Sequence, residues 1–209
     1  MVFKLLLYTH IIAGSIGLLT GTLVMILKKG DAIHRRIGSI FYYAMVLNAV
    51  VSLILAKMHP NPFLFIVGIF SLYLILSGDR ILKLKQIDEN QQASMLDWGI
   101  TYGMLLAGIA FISLGGYQLL QNNLFGLVYL AFGSIGLGLV LQDFRFFKGQ
   151  MTDKKYWLKT HLTKMMGGNI AAFTAFLVVN NNILPSVIAW LLPTFIGTLL
   201  IIKWRRTLG

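Results

Sequence analysis

The sequence predicts an all-α fold: a polytopic membrane protein of seven transmembrane helices, with its N-terminus outside and its C-terminus cytoplasmic. Three observations carry this. Apolar residues make up 57% of the 209 residues and charged ones only 12%, far from the soluble norm of roughly a quarter charged. Seven stretches reach the ~20 mostly apolar residues that a spanning helix needs. The net charge of +11 is confined to the connections between them, a pattern that indicates topology and not a nucleic-acid footprint.

The spans fall at about 4–28, 33–57, 62–85, 93–119, 123–147, 156–180 and 185–205, which makes residues 1–209 a single seven-helix domain. The first run stays apolar from Leu5 to Leu27, longer than a signal-peptide core, and reads as a retained helix. Sixteen of the 18 Lys and Arg residues lie on one side, after helices 1, 3, 5 and 7, leaving Lys4 and Lys57 on the other. Because cationic loops are retained in the cytoplasm, this sets the direction and places the chain in the cell inner membrane. Lys164 is counted among the inner cations. Asn122-Asn123 and the Asn180–Pro185 segment supply outer turns. Pro193 is expected to kink helix 7 and free a carbonyl for the hydroxyl of Thr194 or Thr198. Gly126, Gly133, Gly136 and Gly138 read as a close-packing face of helix 5. Helices 2 and 6 each begin with a histidine and run in the same direction, as a parallel repeat of helices 1–3 on 5–7 would require.

With no cysteine, disulfides, iron-sulfur clusters, thiolate zinc sites and cysteine nucleophiles are excluded. Histidine and the carboxylates remain, and an ionisable residue in a span is a functional candidate by default. His10 shares a helix face with Gly14, Gly17 and Gly21, against which a flat partner or a neighbouring helix can lie. His34 opens helix 2 on a face with Gly38, Phe41, Met45, Asn48 and Ser52. His161 opens helix 6 on a face with Met165, Gly168, Asn169 and Ala172. These two histidines are expected at one depth. Asp79, Asp97 and Asp143 gather at the same level, and all seven acids are expected on the inner side, Asp88 and Glu89 included. The aspartates read either as ligands or second-shell partners of the histidines, or as an ion-pair ring of Asp79 with Arg80 or Arg36 and Asp143 with Arg145. His59, in Lys57-Met58-His59-Pro60, reads as a loop residue, with a pairing to His10 as the alternative.

Taken together, Lys29-Gly30, His34-Arg35, Gly38, the stretch from Trp157 through His161 to Met165-Met166-Gly167, Thr174-Ala175-Phe176 and Leu192-Pro193-Thr194 resemble an uncharacterised family of bacterial multi-pass membrane proteins, a domain of unknown function. The likeness runs from His10 to Trp204 and implies a seven-helix fold without supplying an activity. His10 with Gly14 and His34 with Gly38 also resemble the histidine-glycine spacing of cytochrome b561 and ferric-reductase-like haem proteins. Those families place two histidines on one helix, which no helix here does, so the ligands of a haem would come from different helices.

Three functions follow as expectations. The first is a b-type haem held by His34 and His161, with His10 as a further ligand, Arg35, Arg36, Lys159 or Lys164 near the propionates, and an electron-transfer partner or quinone. The second is a zinc-dependent hydrolase of the ceramidase or adiponectin-receptor-like kind, with the metal on His34, His161 and one of Asp79, Asp97 or Asp143. The His-x-x-x-His pair of those proteins is missing, since Met165 stands four residues after His161. The third is a transporter or assembly factor, with Asn48, Asn169 and Pro193 as its polar or broken positions. A retinal protein is set aside, because Lys203 lies at the end of helix 7 and not in its middle.

Overall fold

The computed structural model describes residues 1–87 and 91–208, apart from the side chain of Phe63. Its helices are α1 (Val2–Ile26), α2 (Ala32–Met58), α3 (Pro62–Arg80), α4 (Met95–Leu120), α5 (Gly126–Phe147), α6 (Tyr156–Val179) and α7 (Ser186–Thr207), with a 3-10 turn at Ile81–Lys83. Each of the seven is long and apolar enough to cross a membrane, and the described residues contain no strand. This is a multi-pass membrane protein. Asp88 and Glu89 lie outside the described residues.

Local chemistry fixes the ends. The Asp31 carboxylate accepts the His34 N–H at 2.7 Å, capping α2 and placing His34 in its first turn. Ser94 and Asp97 form a reciprocal capping box at the start of α4. Between α4 and α5, Asn122 takes φ of 56°, the left-handed region that asparagine tolerates better than most side chains.

The helices run alternately up and down, with α3 at the centre against α2, α4, α5 and α6. Its Ile66, Phe70, Tyr73 and Leu74 join Met104 and Phe111 of α4, Phe132 and Val140 of α5, Ala171 of α6 and Trp190 of α7 in the main core. Its Ile75 packs with Phe41 and Met45 of α2. The α4–α5 contact is made by glycines. A Cβ on Gly133 would stand 3.1 Å from the Gly108 carbonyl oxygen, and one on Gly126 would stand 2.5 Å from that of Gly115. Gly136 meets Met104, but Gly138 points into open space and does not belong to this face. The packing does not follow the expected repeat either: α1 packs chiefly on α2, whereas α5 takes α4, not α6, as its main partner. Helix α7 continues through Pro193, and the Thr198 hydroxyl donates to the Thr194 carbonyl at 2.7 Å.

One end of the bundle, here called the basic end, gathers the last turns of α1, α3, α5 and α7 with the first turns of α2, α4 and α6. Two contacts close it around α7. Lys29 Nζ lies 5.3 Å from the centre of the Trp204 ring, and Lys155 Nζ donates to the Leu208 carbonyl at 2.9 Å.

Candidate functional site at the basic end

His161 and His34 reach this end on different helices. The His161 ring places Nδ1 2.7 Å from the Gly78 carbonyl oxygen of α3. A carbonyl only accepts, so Nδ1 carries the proton and the lone pair of the neutral ring lies on Nε2. A close helix contact sets this geometry, because a Cβ on Gly78 would stand 3.0 Å from Lys164 Cβ and 3.5 Å from the Met165 backbone nitrogen. His34 feels the charges of Lys29, Asp31 and, at longer range, His161, and its ring interacts with the Val24 carbonyl at the end of α1. Its Nδ1 is buried without a hydrogen-bond partner, an arrangement that costs roughly 1–3 kcal/mol when nothing satisfies it. One turn along α2, the space beside Gly38 is open.

Cations lie close to His34 in sequence and space. Lys29 Nζ donates to the Val24 and Met25 carbonyls at the end of α1, at 2.8 and 2.5 Å, and burial holds its ammonium below the usual lysine range. Arg35 donates to the Gly30 carbonyl at 3.1 Å, and both Arg35 and Arg36 are exposed. Asp79 is near enough to His161 to act on it electrostatically.

The other two aspartates are engaged elsewhere, with partners that differ from the expected ion-pair ring. Asp97 is gripped by the Arg80 guanidinium through two bonds, Nε to Oδ1 at 2.7 Å and Nη2 to Oδ2 at 2.9 Å, while Ser94 Oγ donates to Oδ2 at 2.6 Å. Asp143 does not pair with Arg145. Lys164 Nζ stands 2.6 Å from its Oδ1 and 2.7 Å from its Oδ2, Tyr73 Oη donates to Oδ2 at 2.7 Å, and Thr101 Oγ1 lies 3.4 Å away. One carboxylate from α5 thus accepts from α3, α4 and α6. Lys164, expected among the inner surface cations and the propionate partners, is only 1% exposed and belongs to this buried cluster. Its spacing after Tyr156 and Thr160 and before Gly168, one face at helical intervals, was the available signal.

Among the described residues, no three His, Asp or Glu side chains gather closely enough to hold a metal ion. His34 and His161 lie at the same end of the bundle, near enough to act on each other electrostatically; Asp97 and Asp143 are held by other partners.

The glycine face of α1 is filled by side chains, not left as a slot. Gly14 receives Asn48, Gly17 receives Met45, and Gly21 receives Asn169 and Phe41. His10 faces Asn48 in a reciprocal contact, Nδ1 donating to the Asn48 carbonyl at 3.3 Å and Asn48 Nδ2 to the His10 carbonyl at 2.8 Å. His59 caps α2 and sets its ring edge-on to Phe3, with centroids 4.4 Å apart. Phe3 lies seven residues before His10, roughly 10 Å along the helix, so His10 and His59 each have a separate partner. Asn169 is buried, with Nδ2 3.8 Å from Met25 Sδ and Oδ1 unpartnered.

The fold is that of a seven-helix membrane bundle, with His34 of α2 and His161 of α6 both at its basic end. Compared with protein-family models, curated proteins and solved structures, the chain matches none.

Proposed function

We propose that this chain is an inner-membrane redox protein that binds a b-type haem at the basic end, with His34 and His161 as the axial pair. The observation that carries the reading is the buried His34 Nδ1 without a hydrogen-bond partner, at the same end as a second imidazole, His161, whose Nδ1 is committed to a carbonyl and whose Nε2 lone pair is left for a ligand. Fixing one ring nitrogen on a backbone oxygen is how proteins orient a ligating histidine and raise its basicity. The open space at Gly38 leaves room beside His34, and Lys29, Arg35 and Arg36 provide the positive charge that propionates need. Bound there, haem would supply one-electron chemistry, with a quinone or a redox protein as partner.

The donor set favours this reading over a zinc hydrolase. An axial pair is complete with two imidazoles, whereas catalytic zinc takes three protein ligands, and Asp97 and Asp143 are held by Arg80 and Lys164. The test is a dithionite-reduced-minus-oxidised absorption spectrum of the detergent-purified protein, with elemental analysis of the same sample. A b-type spectrum with stoichiometric iron is expected. A colourless sample carrying one zinc per chain would overturn the haem reading in favour of the hydrolase, and neither metal would favour transport or assembly.

A further inference from the structure

A second feature of the basic end lies away from the histidines. Between α5 and α7, floored by α3 and α6, is a cavity of about 610 Å³ whose lining includes no histidine. At the opposite end of the bundle the two helices close on each other through Trp190, whose ring meets Phe125 and Phe132 edge-on at 5.5 and 5.7 Å. From there toward the basic end the walls are apolar, with Leu139 on α5 facing Ile201 and Ile202 on α7. The mouth is cationic: Lys159, Arg205 and Arg206 line it, with Asp153 as the single acid.

The length also discriminates. The lining on α7 runs from Thr194 to Arg206, twelve helical steps, or roughly 18 Å at 1.5 Å per residue. One leaflet of a bilayer's hydrocarbon core is about 15 Å thick, so the cavity spans slightly more than one leaflet from its cationic mouth. At the mouth, Lys159 is paired with Asp153 at 2.8 Å and Arg205 Nη1 lies 3.5 Å from Thr163 Oγ1. That pair neutralises itself and leaves two guanidiniums uncompensated by any carboxylate among the lining residues. Guanidinium is the side chain best suited to a phosphate diester.

We infer that this cavity binds one anionic phospholipid, its acyl chain between α5 and α7 and its phosphate and glycerol headgroup against Arg205 and Arg206. The apolar wall selects a chain, its length selects one leaflet, and the excess charge selects an anionic headgroup. The inference does not depend on the haem reading, since the two sites share no residue.

Native mass spectrometry of the full chain, released from micelles containing equal phosphatidylglycerol and phosphatidylethanolamine, tests it. One phosphatidylglycerol per chain is expected, preferred by roughly fivefold for each arginine, as expected for a basic residue near an anionic surface. R205Q/R206Q should retain lipid without that preference. Ile201→Trp, which fills the apolar wall, should remove the lipid while the thermal midpoint confirms a folded protein. Should the variants not fold, the headgroup competition on the unmodified chain decides alone. Equal retention of both lipids, retention of a quinone in place of a phospholipid, or no retained lipid would each overturn the inference.

Discussion

Lys164 of α6 and Asp143 of α5 form an ion pair at 2.6 Å inside the bundle, with both side chains 1% exposed. Tyr73 adds a hydrogen bond to the same carboxylate and presents its ring face 4.8 Å from the ammonium. Desolvating two charges is costly, and the offset comes from bonds that only the assembled α3, α5 and α6 can make. The cluster is therefore a lock between α5 and α6, beside the contact in which the Tyr156 hydroxyl donates to the Gln142 carbonyl at 3.4 Å and its ring lies 5.0 Å from that of Phe146.

Removing one partner should be far worse than removing both. Lys164→Met strands a buried carboxylate and is expected to lower stability by about 3–5 kcal/mol. Lys164→Met combined with Asp143→Leu should recover most of that loss. Unfolding in mixed micelles measures both, and a single variant as stable as the unmodified chain would show that the pair is not the lock described.

The glycines of α5 should separate into two classes. Gly126→Ala drives a Cβ into the Gly115 carbonyl and should cost about 1–3 kcal/mol, because backbone cannot move aside as a side-chain tip can. Gly138→Ala meets nothing and should be neutral, or stabilising by up to about 1 kcal/mol through helix propensity. Thermal melting of the two variants side by side checks the contrast; equal effects would contradict the packing assigned to Gly126.

Arg80 should not be replaceable by lysine. Its guanidinium makes two parallel bonds to Asp97, whose side chain is 2% exposed, while the arginine itself is 23% exposed. Arg80→Lys keeps the charge and loses the fork, so it should lower stability by about 1–2 kcal/mol, close to Arg80→Gln and below Lys164→Met. Chemical denaturation of the three variants gives the ranking, and a lysine variant matching the original would point to charge alone.

His10 should behave as a packing residue. His10→Phe removes the ring donor to the Asn48 backbone carbonyl but leaves the Asn48 side-chain amide its backbone acceptor at position 10, at a cost of about 1 kcal/mol. Any absorption spectrum of the protein should stay unchanged. Loss of a visible band in this variant would make His10 a ligand and not a brace.

The fold was legible because bilayer thickness fixes helix length, and the seven spans lie within a few residues of the observed helices. That His34 and His161 stand at one end of the bundle was legible because each lies in the first turns of a helix and the two helices run the same way. The ion pairs were not. Counting basic residues for topology treats every lysine as a surface charge, and Lys164 lies only three residues beyond His161, so its burial depends on how α6 is rotated against α3 and α5. The same holds for α1: Gly14, Gly17 and Gly21 mark a close approach, but only the packing shows that Asn48, Met45 and Asn169 fill it. Arg80 could have bonded any of three nearby aspartates, and the capping box of α4 decided for Asp97.

The most direct measurement is the reduced-minus-oxidised spectrum taken across His10→Ala, His34→Ala and His161→Ala in otherwise folded protein. The account predicts a b-type signal in the unmodified chain and in His10→Ala, and its loss in His34→Ala and in His161→Ala. A chain without the signal when produced with ample haem, or a signal that survives both His34→Ala and His161→Ala, would contradict it.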